Sequence, residues 1–338
     1  MIRDLISMNK TRISELGEER LIDIILDKRD ARLEEVDDLL RRSYSDDSAL
    51  ILNELKYGVV TSDMLIEHSH FPRPMSPYQM GLKCVCVNVC DVIAMNAMPV
   101  ALIVSMALPS SMLLDDFCLL VDGVLDGCDR YGVRLIGGDI NEGSEIILSA
   151  TAIGEAGDDV KFQDSVVEGN LVAVSGMLGS PAAALDILDE GGLVEEYADI
   201  VDTLLEPENA FECYKSLRNY SSMITSMTDI TDGLAKELAT LMKKNSGIGF
   251  EVYGDRIPYD KRLDELSCRY DRSLDYYLYH FGEEFELLMT LDERLYDSYE
   301  DELDLHVIGR VNDSGRMELV DGERRRSLSS MGYEHLKE

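Results

Sequence analysis

The chain has 338 residues and a formal charge of −34, from 66 acidic and 32 basic side chains. That length suits two ordinary domains, and 45% hydrophobic residues suffice to fill their cores. The negative field repels nucleic acid and anionic membrane surfaces, so neither is expected as a partner. No apolar run approaches the roughly 18 residues of a membrane span. The opening MIRDLISMNKTRISELGEER carries charges throughout where a signal peptide has an apolar core, so a cytoplasmic protein is expected. A phosphate ligand reaches clustered carboxylates only through divalent cations, which makes magnesium the expected mediator of any nucleotide binding.

Residues 13–42 read as a helix, followed by the polar turn SYSDDS and by strands at 49–52 and 57–66. The next helix announces its start with Ser76 as N-cap, Pro77 at the first helical position and Gln79 closing a capping box. It runs through GLKCVCVNVCDVIAMNA to Pro99. The buried strand VALIVSMAL follows, then a helix from about Leu113 to Tyr131 with Gly132 as left-handed cap. VRLIGGD reads as a short strand opening into a glycine turn, and EIILSATAIG as a long strand. The polar EAGDDVKFQDS marks a boundary between halves at 1–155 and 156–338. In the second half NLVAVSG, SMITSMTDI, GIGFEVYG, FGEEFELLMTL and LHVIGRV read as strands, the fourth opening as a turn. SPAAALDIL, capped by Ser180, and TDGLAKELATLMKKN read as helices. Strands and helices mix without strict alternation, which predicts an α+β fold in two similar halves.

Cys84, Cys86 and Cys90 crowd one helical stretch, but residues two apart on a helix do not share a face, and no His lies among them. They read as small buried hydrophobes in a reduced compartment. The P-loop, dinucleotide-binding, protein-kinase and nucleophile-elbow strings are all missing from the chain. Chemistry must therefore rest on carboxylates.

Aspartates recur where strands or helices are expected to give way to loops: Asp46-Asp47 in SYSDDSAL, Asp63 in TSDMLIEHSHF, Asp91 in NVCDVIAMNA, Asp139 in LIGGDIN, and Asp229 with Asp232 in MTDITDGL. Singly, Asp47 and Asp139 suit turns, and Thr231 or Asp232 suits a helix cap. Asp91 differs, because it interrupts an apolar helix and is costly to bury without a cation or strong hydrogen bonds.

As an ordered set these segments resemble the thiamine-monophosphate kinase family, within the superfamily of aminoimidazole ribonucleotide synthetase and selenophosphate synthetase. SDDSA answers the family pattern G-D-D-A-A, and TSDMLIEHSHF answers S-T-D-T-L-x-x-G-x-H-F. NVCDVIAMNA, GGDI, DITDGL and FGEEFEL answer N-x-S-D-x-A-A-M-G-A, G-G-D-T, D-I-S-D-G-L and G-G-E-D-Y-E-L. The resemblance implies a two-domain PurM-like fold, with N-terminal sheets of two chains pairing into a homodimeric barrel and a C-terminal α/β sandwich. It implies magnesium held by Asp47, Asp63, Asp91, Asp139, Asp229 and Asp232, with Asp47, Asp91 and Asp232 central to catalysis. Thr61, Ser62, Tyr131, Gly138, Asp139 and Thr231 would contact ATP. His70, Glu283, Glu284 and Tyr333 would face thiamine monophosphate, and an aromatic ring at Tyr333 suits a cationic thiazolium.

The implied reaction is direct in-line transfer of the ATP γ-phosphoryl group to thiamine monophosphate. The attacking phosphate is largely deprotonated at neutral pH (second pKa about 6), so no strong general base is needed. Departures from the pattern are Ser45, Asn96, Ile140 and His280-Phe281 at family glycine, threonine or serine positions, and Asp164 where the family has an ATP-contacting arginine. Lys161 is the nearest substitute cation in the sequence. These departures keep open a paralogue acting on another substrate with ATP, or a silent nucleotide-binding scaffold.

Overall fold

The structure, a computed structural model, describes residues 49–52, 57–191 and 193–333. The helix expected at 13–42 and the turn carrying Asp46 and Asp47 lie outside the described residues. Two sheets organise the rest. The first contains β1 (Ala49–Leu52), β2 (Tyr57–Ile66), β3 (Met98–Pro109), β4 (Arg134–Gly143) and β5 (Ile147–Ala156), in the order β1-β2-β5-β3-β4. Only β3 and β4 run parallel, joined by a helical crossover. The second contains β6 (Leu171–Val174), β7 (Ile224–Asp229), β8 (Gly249–Tyr253), β9 (Leu287–Leu291), β10 (His306–Asn312), β11 (Met317–Asp321) and β12 (Arg324–Ser327). Their order is β12-β11-β8-β10-β6-β9-β7. The architecture is α+β, as the strand and helix pattern implies. Among the described residues the first sheet is open, with β1 and β4 as edges, so no barrel closes within one chain.

Helix α1 (Pro77–Ala94) joins the two halves. Its start is the expected one: the Ser76 hydroxyl accepts from Gln79 N at 3.3 Å, and the Gln79 side chain accepts from Ser76 N at 2.9 Å. Cys84, Val85, Val89, Cys90, Val92 and Ile93 are fully buried, because α1 packs on the first sheet, on helix α2 (Leu114–Tyr131) and on β7 of the second half. Burial pushes the Cys84 and Cys86 thiols up to about 12, which suits inert packing groups. The α1–α2 crossing is backbone to backbone: a Cβ on Gly123 would stand 1.9 Å from the Tyr78 carbonyl oxygen. The remaining labelled helices are α3 (Ser180–Glu190), α4 (Ala198–Leu205), α5 (Phe211–Leu217) and α6 (Leu234–Lys244).

Three local expectations are corrected. Chain segment VRLIGGD does not turn at its glycines; β4 continues through them to Gly143, with a register shift against β3 between Leu135 and Gly137. Gly138 is small because a Cβ there would lie 2.0 Å from the Val104 carbonyl oxygen of β3. Helix α3 is capped by Gly179 at φ +92°, and Ser180 lies inside the helix without capping it. Nor do Thr231 or Asp232 cap α6, which starts from Gly233 at φ +105°.

Asn96 explains a departure noted above. It follows the C-cap Met95 at φ +56°, a left-handed position that glycine favours and asparagine tolerates. Its side chain also donates to the Asp159 carbonyl at 2.7 Å. We expect Asn96→Val to lower unfolding free energy by about 1–2 kcal/mol in denaturant titration, with Asn96→Gly costing clearly less; equal losses would remove the backbone argument.

Glu286 is a buried carboxyl that accepts from the Ser175 hydroxyl, and burial raises its pKa from the ordinary 4.5 to about 7. A carboxyl raised on folding favours the protonated form, so its contribution is full below about 4.5 and is lost as pH climbs to about 7. We expect Glu286→Gln to stabilise the protein at pH 8 by on the order of 1–3 kcal/mol and to gain little at pH 4.5. Equal gains at both pH values would contradict this assignment.

Candidate active site

On β2, alternate residues face opposite sides of the sheet. Val59, Thr61 and Leu65 are buried against the helices, and Asp63 belongs to the same face. Asp63 is therefore a mid-strand residue rather than a loop residue. Facing it from α1, Asp91 accepts a 2.5 Å hydrogen bond from the Thr61 hydroxyl and lies in hydrogen-bonding contact with Asp63. The Asn88 side chain accepts from Asp63 N at 3.2 Å. The second half supplies Asp229 at the end of β7, buried, with its carboxylate accepting from the Thr231 hydroxyl at 2.8 Å. Asp232 pairs with Lys236 at 2.6 Å.

These carboxyls crowd one another. Burial raises the Asp63 pKa, with repulsion from Asp232 adding to it, and burial holds Asp229 at about 6. Glu237 on α6, which reads as an ordinary helix residue in the sequence, is raised to about 8 by burial and by the nearby Asp229 and Asp232. Among the described residues, no three Asp, Glu, His or Cys side chains stand close enough together to hold a metal ion as a set. Paired hard oxygens without a closed protein cage nevertheless suit magnesium, which takes one or two carboxylates and completes its shell with water and substrate phosphates. The donor set thus fits magnesium brought in with a nucleotide.

Beside this cluster a cavity of about 500 Å³ opens between the halves. Asp63, His70, Thr231, Asp232, Glu283 and Tyr333, all picked out in the sequence, line it. Phe71, Pro72, Val87, Leu185, Leu204 and Phe281 add an apolar wall. His70 is fixed through Nδ1, which accepts from Ile66 N at 3.0 Å. Tyr333 is pinned at its backbone: its N–H donates to the Asp232 carbonyl at 3.2 Å, and its carbonyl accepts from Lys236 at 2.5 Å. Glu283 sits at φ +61°, a strained setting for a non-glycine residue that costs on the order of 1 kcal/mol. Its N–H donates to the Thr231 carbonyl at 2.8 Å.

Other sequence-selected residues lie elsewhere. Glu284 turns away from the cavity and accepts from Gly179 N at 2.7 Å, its pKa raised well above the usual range by burial. Tyr131 is only 4% exposed, edge-on to Phe211 at 5.6 Å, so it packs between the halves rather than lining the cavity. Asp139 is mid-strand in β4 and accepts from the Asn141 amide at 2.7 Å. Register places it in one row with Ser105, Ser149 and Met64, on the sheet face opposite Asp63. Ser62 shares that outer face, where its hydroxyl accepts from Thr151 at 3.1 Å. One chain therefore splits the aspartate set. Lys161 is buried, paired with Asp159, and does not line the cavity.

Sequence reasoning missed Lys83. It lies on α1, is 1% exposed, lines the cavity, donates to the His70 carbonyl at 2.8 Å and pairs with Glu283. The signal was present: like Asp91 it is a charge in an apolar helix, and positions 83, 87 and 91 fall on one helical face.

Comparison with known proteins identifies the family. Residues 45–156 match the family described as AIR synthase related protein, N-terminal domain, and residues 166–322 match the corresponding C-terminal domain. Thiamine-monophosphate kinase of Pyrococcus horikoshii is 30% identical over 302 residues, covering 89% of this chain and 94% of the relative. That of Aquifex aeolicus is 29% identical over 96% of this chain and 99% of its own length. Among solved structures, AaThiL complexed with AMPPCP and TMP superposes with a TM-score of 0.81 at 27% identity, covering 97% of this chain and 99% of that one. The thiamine monophosphate kinase structure from Aquifex aeolicus gives 0.77 at 27% identity, over 93% and 99%. Hydrogenase maturation protein HypE in complex with ATP shares the fold at 17% identity, with a TM-score of 0.68 over 85% of this chain and 88% of its own. The chain belongs to the AIR synthase related family and, within it, to the thiamine-monophosphate kinases.

Proposed function

We infer that the chain phosphorylates thiamine monophosphate to thiamine diphosphate with ATP. The observation that carries this reading is a single cavity with two chemistries. It has carboxylates suited to metal-bridged phosphates and, beside them, an aromatic and apolar wall with Glu283 and Tyr333 suited to a flat cationic ring. The complex of AaThiL with AMPPCP and TMP supports it, since that relative binds an ATP analogue and TMP.

In the reaction a terminal phosphate oxygen of thiamine monophosphate forms a bond to the γ-phosphorus of ATP. The bond from that phosphorus to the β,γ-bridging oxygen breaks, and ADP leaves. Asp63 and Asp91, with Asp47, Asp139, Asp229 and Asp232, are the proposed magnesium carriers. Magnesium, when bound, neutralises charge on the phosphates and aligns attacking and leaving oxygens. Thr61 holds Asp91 and Thr231 holds Asp229, which orients both carboxylates. Thr61, Ser62, Tyr131, Gly138, Asp139 and Thr231 remain the proposed ATP set, with Thr231 the member that lines the cavity. His70, Glu283, Glu284 and Tyr333 remain the proposed substrate set, Glu284 in a supporting place behind Glu283.

A homodimer is part of this proposal. The face of the first sheet turned away from the helices carries Val60, Met64, Ile103, Ile147 and Ile153, none of them fully buried. Met64 is 55% exposed. Pairing two such faces covers them and brings Ser62 and Asp139 into an interface, as the barrel arrangement requires. Among the described residues no helix is long and apolar enough to cross a membrane, and the −34 charge argues against nucleic acid and anionic lipid.

Purified chain with ATP, magnesium and thiamine monophosphate is expected to yield thiamine diphosphate, measured by chromatography. ATP binding without product at high enzyme concentration would defeat the reading. Asp91→Asn should lower turnover at least about 100-fold with far-ultraviolet circular dichroism unchanged. Sedimentation should give a dimer at micromolar concentration and a monomer for Ile153→Asp; a monomeric parent protein would remove the paired-sheet proposal.

A further inference from the structure

Lys83 is a fully buried cation that the phosphoryl-transfer chemistry does not use. Its ammonium reaches from α1 in the first half to Glu283 in the second, and donates also to the His70 carbonyl. Both of its acceptors belong to residues lining the cavity. The Glu283 backbone is held in a left-handed conformation by one hydrogen bond from its N–H to Thr231 O, so backbone preference alone does not aim this side chain. A carboxylate has two oxygens, each able to accept. Lys83 takes Oε2, while Oε1 has no partner among the described residues and remains for a ligand in the cavity.

We propose that Lys83 is a positioning residue that clamps Glu283 by one oxygen and so presents the other to the positively charged ring of the substrate. The clamp also keeps Glu283 from competing with Asp63 and Asp232 for metal, because its charge is already partnered. Without Lys83, the carboxylate is free to turn about its side-chain bonds, and the His70 carbonyl loses its donor. Ring recognition then weakens, while the phosphate end, built from β2, α1 and the Asp229–Asp232 turn, is untouched.

This inference rests on the function proposed above, and the test separates the two. Full-length Lys83→Met and Lys83→Arg proteins are compared with the parent by steady-state kinetics, and thiamine monophosphate binding is measured by calorimetry. We expect Lys83→Met to raise KM for thiamine monophosphate about tenfold (about 1.4 kcal/mol), with kcat and KM for ATP changed less than about twofold. Lys83→Arg should recover most of the loss. Glu283→Gln should weaken binding alone but add little to Lys83→Met, because each removes the same contact. A fall in kcat with both KM values raised in parallel, or unchanged KM in Lys83→Met, overturns the positioning role and leaves the function standing. Should Lys83→Met fail to fold, Glu283→Gln and Lys83→Arg still decide: unchanged substrate affinity in Glu283→Gln overturns the proposal. A parent protein that neither binds nor converts thiamine monophosphate overturns both.

Discussion

Helix α1 carries a lysine and an aspartate into the same buried seam, with Lys83 and Asp91 on one helical face. Lys83 is 1% exposed, and an unpaired buried ion costs several kcal/mol; Asp91 is half-buried against a second carboxyl, so it too needs a donor. Lys83 finds its partner across the seam in Glu283; Asp91 finds the Thr61 hydroxyl and the neighbouring Asp63. The requirement to satisfy these two groups ties the first sheet to the loop before β9. It is also what places the cavity at the junction of the halves rather than within either one.

The same seam explains why the carboxylates are chemically poised. Asp63, Asp91, Asp229 and Asp232 come from three elements that have other reasons to converge: a strand, the buried helix, and the turn after β7. Burial makes their ionised forms costly, as the raised pKa values of Asp63 and Asp229 show. In the proposed site a divalent cation arriving with nucleotide phosphates would relieve that cost, so metal, nucleotide and carboxylates would stabilise one another. Two of the relevant residues, Ser62 and Asp139, stand on the other face of the sheet. Their separation follows from strand alternation, and under the proposed pairing of two chains they would stand at the interface.

Much of this was legible in the sequence because local chemistry and global fold agree. The Ser76–Gln79 capping box sets the start of α1, and Gly132 ends α2 in the left-handed form. The order of the aspartate motifs carries the family resemblance better than any one of them. What misled was glycine. The pair in LIGGD reads as a turn, yet the chain stays extended, and Gly138 alone serves close approach to the β3 backbone, which one-dimensional reading cannot distinguish. Thr231 and Asp232 looked like caps because cap and site residues share the same short polar side chains. Glu283 and Glu284 were inseparable in sequence; only the backbone twist between them sends one to the cavity and the other to Gly179. Lys83 was overlooked because a lysine in a helix usually reaches solvent, whereas here it is sealed in by packing from both halves.

The central claim is that phosphates and cationic ring occupy one cavity at the seam, the first on the aspartates and the second against Glu283. A crystal structure of the protein with magnesium, a non-hydrolysable ATP analogue and thiamine monophosphate tests it most directly. The account predicts metal density beside Asp63 and Asp91, with the thiamine rings within contact of Glu283 and Tyr333. Ordered ligands seated elsewhere, with this cavity holding only solvent, would contradict it.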